Sequence, residues 1–350
     1  MLIKDVRNVS LIGSDSSNNG SKSVILCTGS LGFAFINITT LRVAKLHFSF
    51  CGAYFPSKST VEENFAGSSY FKKYISKTTL YFLQTYNVII SQVVISNSSG
   101  AGLLGINMLG HSNISQTTFS GNEPNCLLIF IDFPSTSQIN QPTLLTIVNS
   151  QMIFGSTSSW SKVAGLTITL AQTAYNIHIH IHGIIITHDN FHISIDKWVC
   201  HCSTIQLTQI VSTGKRNKLT VRLNTDGSPL PTCNCSEQAK DKYTVYISDI
   251  HFVGMYVQVT AGEHIKAAIE TSDAMIKLQN ITVQNTSKNE ALTIWSIIMI
   301  MQDVRVSYSG GIKIRRSSVA VHGKFLVNHN VGDINTVQLR TSVTFFHGEA

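Results

Sequence analysis

Short aliphatic phrases separated by polar turn residues recur along the whole chain. Apolar and polar positions alternate within several of them, which is typical of half-buried strands. Three phrases are nearly alike: Ser91-Gln-Val-Val-Ile-Ser96, Ser115-Gln-Thr-Thr-Phe-Ser120 and Ser150-Gln-Met-Ile-Phe-Gly155. The interval from the first to the second is shorter than that from the second to the third. Self-similarity at such a period predicts a solenoid with loop insertions between its turns.

The pattern continues toward the C-terminus in more degenerate phrases. Their final apolar residues Val283, Val306 and Val327 recur at intervals close to that between the first two phrases. Stacked parallel strands return the chain to the same position about 4.8 Å further along, so this spacing fits successive coils of a parallel β-helix. We therefore expect one all-β solenoid domain over residues 1–350, with inserted loops near residues 53–77, 122–142 and 190–242.

Two groups of motifs resemble known β-helical proteins. Thr118-Phe-Ser-Gly-Asn122 and Phe325-Leu-Val-Asn328 look like the Phe-x-x-Asn repeats of polymorphic outer-membrane proteins. The segment from Asn8-Val-Ser-Leu-Ile-Gly13 through Gly32-Phe-Ala-Phe-Ile-Asn-Ile-Thr39 to Phe50-Cys-Gly52 is similar to animal right-handed β-helix repeat proteins of the pectin-lyase-like superfamily. The resemblance implies a right-handed parallel β-helix without an established active site.

Composition and charge narrow the possible partners. The 26 Lys and Arg residues exceed the 19 Asp and Glu residues, which leaves a net charge of +7. The basic residues are scattered and lack interleaved aromatic residues, so we expect no nucleic-acid partner. Every apolar run is shorter than the roughly 18 residues that span a bilayer, so we expect no membrane-spanning segment. Phosphate-binding glycine loops and common catalytic motifs are missing, and we expect no cofactor.

Glycosylation sequons favour an extracellular or cell-surface location. They begin at Asn8, Asn19, Asn37, Asn97, Asn113, Asn234, Asn280 and Asn285. The first seven residues carry three charges and no apolar segment, unlike a signal peptide. The last residues stop in the middle of a repeat, so we expect a fragment or an incomplete gene model that has lost its leader.

The segment Ile177-His-Ile-His-Ile-His182 is the most unusual in the chain. Period-two alternation predicts the isoleucines in the core and His178, His180 and His182 on the opposite face. One hypothesis is a Zn or Cu site on this face, completed from neighbouring coils by His188, His192 or His201. A solvated polar face is the alternative, because alternate strand residues lie nearly 7 Å apart.

Cysteine pairs flank the longest predicted insertion, as Cys200-His-Cys202 and Cys233-Asn-Cys235. Two disulfides closing the loop, a four-thiolate zinc site and free buried thiols all remain open, although zinc sites usually have Cys-x-x-Cys spacing. Cys27 and Cys51 are separated by the same interval as the first two phrases, which is one coil, and we expect them to be stacked neighbours. Cys126 is then left over.

Catalytic signatures are weak. Asn224-Thr-Asp-Gly227 copies a polygalacturonase motif, but the other motifs of those enzymes are missing and Asp226 lies in a Pro-rich turn. We therefore predict no catalytic residue and favour a non-catalytic β-helix for recognition, adhesion or structure, with carbohydrate or another protein as partner. The alternative is a lyase, hydrolase or epimerase of uronic-acid polymers, which requires Asp196, Lys197, Arg222 and Asp226 to converge on one face.

Overall fold

The computed structural model describes most of the repetitive part of the chain. The described residues are 1–14, 23–27, 32–51, 78–98, 100–122, 126–131, 142–153, 164–170, 177–187, 191–198, 204–213, 217–224, 245–253, 255–261, 275–284, 292–295, 298–307, 312–315, 318–328, 337–339 and 343–346. Within them, every element of regular secondary structure is a β-strand. Contacts divide the chain into two compact units, Met1–Thr173 and Ala174–Ala350.

The described residues of the first unit form sixteen strands. They are β1 (Leu2–Lys4), β2 (Asn8–Ile12), β3 (Ser23–Leu26), β4 (Phe33–Ile36), β5 (Thr40–Ala44), β6 (Leu46–Ser49), β7 (Thr78–Tyr86), β8 (Val88–Ser91), β9 (Val94–Ser96), β10 (Ala101–Leu109), β11 (His111–Ser115), β12 (Thr118–Ser120), β13 (Leu127–Ile131), β14 (Thr143–Val148), β15 (Gln151–Ile153) and β16 (Ala164–Leu170).

These strands form three parallel ladders, and each pass of the chain adds one strand to each ladder in turn. The ladders run β1-β4-β7-β10-β13-β16, β2-β5-β8-β11-β14 and β3-β6-β9-β12-β15. Parallel neighbours need a crossover connection, which the other two strands of each pass supply. The sequence prediction of an all-β chain of stacked parallel strands is therefore confirmed.

Apolar side chains of like position stack in the core. Phe48, Ile95, Phe119 and Met152 are register partners on β6, β9, β12 and β15, and each is 0% exposed. The alternate positions on the same strands are largely more exposed. The period-two pattern thus selects which face is buried, because each strand side chain points opposite to its neighbour.

The strand register confirms the alignment of the first two phrases and corrects the alignment of the third. Phe119 pairs with Ile95, as the alignment of the first two phrases predicts. The third phrase is displaced, since Phe119 pairs with Met152 and not with Phe154. The interval between stacked positions is therefore two residues shorter than the phrases indicate. A shift of two residues keeps every side chain on its original face, so the hydrophobic pattern alone does not distinguish the two registers.

The Gln of the first two phrases occupies a corner between the second and third ladders. Lys45, Gln92, Gln116 and Asn149 all have positive φ, at 56°, 55°, 50° and 49°. The backbone N–H of Gln92 donates to the carbonyl of Ser115 at 3.1 Å, and that of Gln116 donates to the carbonyl of Val148 at 3.1 Å. Hydrogen bonding from one pass to the next holds this left-handed conformation, which is uncommon for residues other than glycine.

In the second unit, thirteen strands lie within the described ranges. They are β17 (Ile177–Ile186), β18 (Phe191–Trp198), β19 (Thr204–Ser212), β20 (Asn217–Asn224), β21 (Val245–Val253), β22 (Met255–Ala261), β23 (Met275–Gln284), β24 (Leu292–Trp295), β25 (Ile298–Ser307), β26 (Ile312–Arg315), β27 (Ser318–Asn328), β28 (Val337–Leu339) and β29 (Val343–Phe346).

Two parallel ladders account for these strands. They run β18-β20-β22-β24-β26-β28 and β17-β19-β21-β23-β25-β27-β29. Val283 pairs with Val306, and Val306 pairs with Val327, so the apolar intervals read from the sequence are the strand register. Both units are compatible with a β-solenoid.

The predicted insertions differ from the structure in two places. Strand β13 lies inside the interval 122–142, and β18, β19 and β20 lie inside the interval 190–242. Their sequences contain no copy of the Ser-Gln phrase, which left them unrecognised. The predicted loop at residues 53–77 lies outside the described residues.

Candidate functional site

The histidine strand β17 has the two faces that its alternation predicts. Ile179 and Ile181 are each 1% exposed, whereas His178, His180 and His182 are only partly buried. In register, Ile179 pairs with Ile205 of β19 and Ile181 with Leu207, and both partners are buried. The isoleucines therefore anchor the strand in the core and fix the opposite face as a row of imidazoles.

Two threonines of the neighbouring strand β19 engage the imidazoles. Nδ1 of His178 lies 2.9 Å from Oγ1 of Thr204, its register partner. Nδ1 of His182 lies 2.8 Å from Oγ1 of Thr208, which is also its register partner. Nε2 of His180 lies 3.3 Å from the same Thr208 oxygen. The hydroxyl group of Thr208 therefore hydrogen-bonds to two rings, whereas the ring of His178 hydrogen-bonds to Thr204.

A hydroxyl group carries a single hydrogen, which constrains the ring protonation around Thr208. With neutral rings, at most one of the two imidazole nitrogens accepts from the hydroxyl group, so at least one donates its N–H to the hydroxyl oxygen. The ring centroids of His180 and His182 are 5.7 Å apart. Burial lowers the pKa of His180 below its ordinary value, and the neighbouring charge of His182 lowers it further.

Metal ligation by all three histidines stays a prediction. Among the described residues, no group of three or more His, Cys, Asp or Glu side chains is arranged to hold a metal ion. His192 lies on β18, in the other ladder of the unit, while His188 and His201 lie outside the described residues. The sequence pattern placed the three imidazoles on one face correctly. It did not identify the partners Thr204 and Thr208. A signal was present in the sequence, because these two threonines recur four residues apart on β19.

A disulfide joins Cys27 and Cys51, which confirms their predicted stacking. Cys27 follows β3 and Cys51 follows β6, and these two strands are neighbours in one ladder. Their Cα atoms lie 4.8 Å apart, which matches the spacing of adjacent parallel strands. Cys126 is buried with a free thiol, and its burial raises its pKa to about 12. The candidates Cys200, Cys202, Cys233 and Cys235 lie outside the described residues.

The charged residues required by the enzyme hypothesis are only partly placed. Asp196 of β18 and Arg222 of β20 are direct register partners, and Lys197 is the next residue of β18. Asp226 lies outside the described residues. Backbone register therefore brings an acidic and a basic residue to adjacent positions in one ladder.

Several sequons lie where a glycan has access. Asn8, Asn37 and Asn113 are exposed, and Asn97 is partly buried. The Asn37 side chain donates from Nδ2 to Oδ1 of Asp5 at 2.8 Å. Asn280 lies on β23, and the sequons at Asn19, Asn234 and Asn285 lie outside the described residues.

These features define an all-β protein of parallel strands in stacked sheets, with an outward row of histidine and threonine side chains. No protein-family model, curated protein or solved structure matches the chain. In the part of the chain that the structure describes, no helix has the length and apolar character needed to cross a membrane.

Proposed function

We propose that this chain is a right-handed parallel β-helix of the pectin-lyase-like kind, and that it acts as a non-catalytic extracellular or cell-surface protein in recognition, adhesion or structure. The supporting observation is the pair of faces on strands β17 and β19. Aliphatic residues form the inner ladder, while His, Thr and Gln positions form the outer one. Such rows of polar hydrogen-bonding side chains suit an elongated polar partner such as a polysaccharide or an extended protein segment.

The cysteine chemistry and the sequons support the proposed compartment. Disulfides persist in oxidising environments, and the Cys27–Cys51 bond joins two passes of the chain. The exposed positions of Asn8, Asn37 and Asn113 leave room for N-linked glycans. Both features fit a secreted or surface-attached protein.

Expression in a secretory host tests the compartment. We expect peptide mapping by mass spectrometry to find the Cys27–Cys51 link intact and glycans on at least one of the three exposed sequons. Reduced Cys27 and Cys51 together with unmodified Asn8, Asn37 and Asn113 would contradict an extracellular assignment. The same material, applied to arrays of neutral and acidic polysaccharides, tests recognition.

A carbohydrate-active enzyme remains the second candidate because Asp196 and Arg222 are backbone register partners on neighbouring strands. A lyase, hydrolase or epimerase of uronic-acid polymers needs such charged side chains together on one face. We expect no turnover of pectin or alginate by the purified chain. Turnover that is lost in Asp196→Asn and Arg222→Gln, but kept in a Ser194→Ala control, would favour the enzyme instead; Ser194 lies on the same strand.

A further inference from the structure

Two histidines of β17 converge on one point, and the third does not. His180 through Nε2 and His182 through Nδ1 both contact Oγ1 of Thr208, at 3.3 and 2.8 Å. His178 instead contacts Thr204 at 2.9 Å. His178 and His182 are four residues apart along an extended strand, a distance of roughly 13 Å between Cα atoms. The pair His180 and His182 is therefore distinct from the whole row.

The separation of the two rings fits a shared metal ion. Imidazole nitrogen binds Zn²⁺ or Cu²⁺ at about 2 Å, so two rings on one ion at a tetrahedral angle have centroids about 5 Å apart. The observed separation is 5.7 Å, with the ring planes at 49° to each other. Both side chains are partly exposed, and rotamer changes of exposed side chains take picoseconds to nanoseconds, so the two nitrogens can turn toward one ion without moving the strand.

The surroundings also suit such an ion. Both rings are partly buried and stand on a strand whose other face is anchored by Ile179 and Ile181. Gln206 is the register partner of His180 and is partly exposed, so the site is open to water on its outer side. The hydrogen bonds to Thr208 turn Nε2 of His180 and Nδ1 of His182 toward one point, and an ion bound by these two nitrogens replaces both hydrogen bonds.

We propose that His180 and His182 form a two-imidazole binding site for a divalent first-row transition metal, completed by water. The site is built from neutral nitrogen donors, so it favours Cu²⁺, Ni²⁺ or Zn²⁺ over Ca²⁺ and Mg²⁺. A ring that donates to Thr208 through its metal-binding nitrogen transfers that proton to its other ring nitrogen when the ion binds, and no net proton is released. The proposal is independent of the recognition role above.

The test uses the full chain, freed of metal with a chelator, and Cu²⁺ as the probe. His178→Gln is the matched control, because His178 lies on the same strand and face and also bonds to a threonine. We expect His180→Gln and His182→Gln each to weaken Cu²⁺ affinity about tenfold or more, since each removes one of two protein ligands. His178→Gln should change it by less than about threefold. Equal affinity in all four proteins, or an equal loss in the control, would overturn the proposal.

A measurement on the unaltered chain guards against a variant that fails to fold. Cu²⁺ should protect His180 and His182 from diethylpyrocarbonate, as located by peptide mass spectrometry, while His178 is modified at its original rate. Electron paramagnetic resonance of the one-to-one complex should show coupling to two imidazole nitrogens, and to one in His182→Gln. Protection of His178 to the same degree, or no protection of the pair, would remove the site.

Discussion

Phe119 offers a direct test of the buried stack that it forms with Ile95 and Met152, and of the strand register that aligns these three residues. Its side chain is 0% exposed and is flanked in register by Ile95 and Met152. The ring also lies against the backbone of Gly102, where an added Cβ would come within 2.9 Å of Cδ1 of Phe119. Such close contact on several sides leaves little room for neighbours to fill the space that a smaller side chain would vacate.

We therefore expect Phe119→Ala to lower the free energy of unfolding of the first unit by about 3 to 5 kcal/mol, the range for buried Phe truncations that leave a cavity. The matched control is Thr118→Ala, one residue earlier and on the opposite face of β12. Its loss should be about 1 kcal/mol or less, because it removes only strand propensity and a partly exposed methyl group.

Urea titration followed by circular dichroism measures the change, and hydrogen exchange assigns it to the first unit. Amides of β9, β12 and β15 should lose protection in Phe119→Ala, since these strands share the ladder. If Thr118→Ala costs as much as Phe119→Ala, the assignment of inner and outer faces is wrong. If protection falls in the second unit alone, the described packing of Phe119 is wrong.

Three further predictions follow from described contacts. Cys27→Ser with Cys51→Ser should cost about 3.4 kcal/mol, the chain-entropy value for a 24-residue loop, and urea titration of the wild type with and without reductant should show the same loss. Burial raises the pKa of the Cys126 thiol from 9.0 to about 12. The stability that the protonated thiol contributes is therefore complete below pH 9 and is lost as the pH rises toward 12. A flat alkaline stability profile in wild type, or an unchanged slope in Cys126→Ala, would contradict this. Asn122 is 1% exposed and donates to the carbonyl of Ile95 at 2.9 Å, so Asn122→Ala should cost about 1 to 3 kcal/mol by thermal or urea unfolding, whereas the exposed Asn113→Ala should cost little.

Gly102 shows how close packing limits what the chain tolerates. A Cβ at this position would approach the carbonyl oxygen of Cys126 to 2.8 Å and Nδ2 of Asn122 to 3.2 Å. Backbone of the next pass and the side chain of Asn122 therefore occupy the space that any larger residue needs. Residues 101–109 form strand β10 and are largely aliphatic, but the requirement for glycine at position 102 arises from the neighbouring pass.

The order of hydrophobic and polar residues determined the faces of the strands and much of the stacking. Alternation in residues 177–182 was sufficient to place the isoleucines inside and the histidines outside, because side chains of a strand point to opposite sides in turn. The interval between the first two phrases was sufficient to stack Phe119 on Ile95 and to bring Cys27 beside Cys51. These outcomes depend only on period and on the length of one pass.

Only the tertiary structure determined the features that depend on which strands lie next to each other. The displaced third phrase kept the same faces, so only the pairing of Phe119 with Met152 revealed its register. The sequence predicted a loop where strands β18, β19 and β20 lie. It therefore did not reveal the threonines of β19 that hydrogen-bond to the histidines. A side chain's cross-strand partner lies far away in sequence, and its identity is set when one pass of the chain stacks on the next.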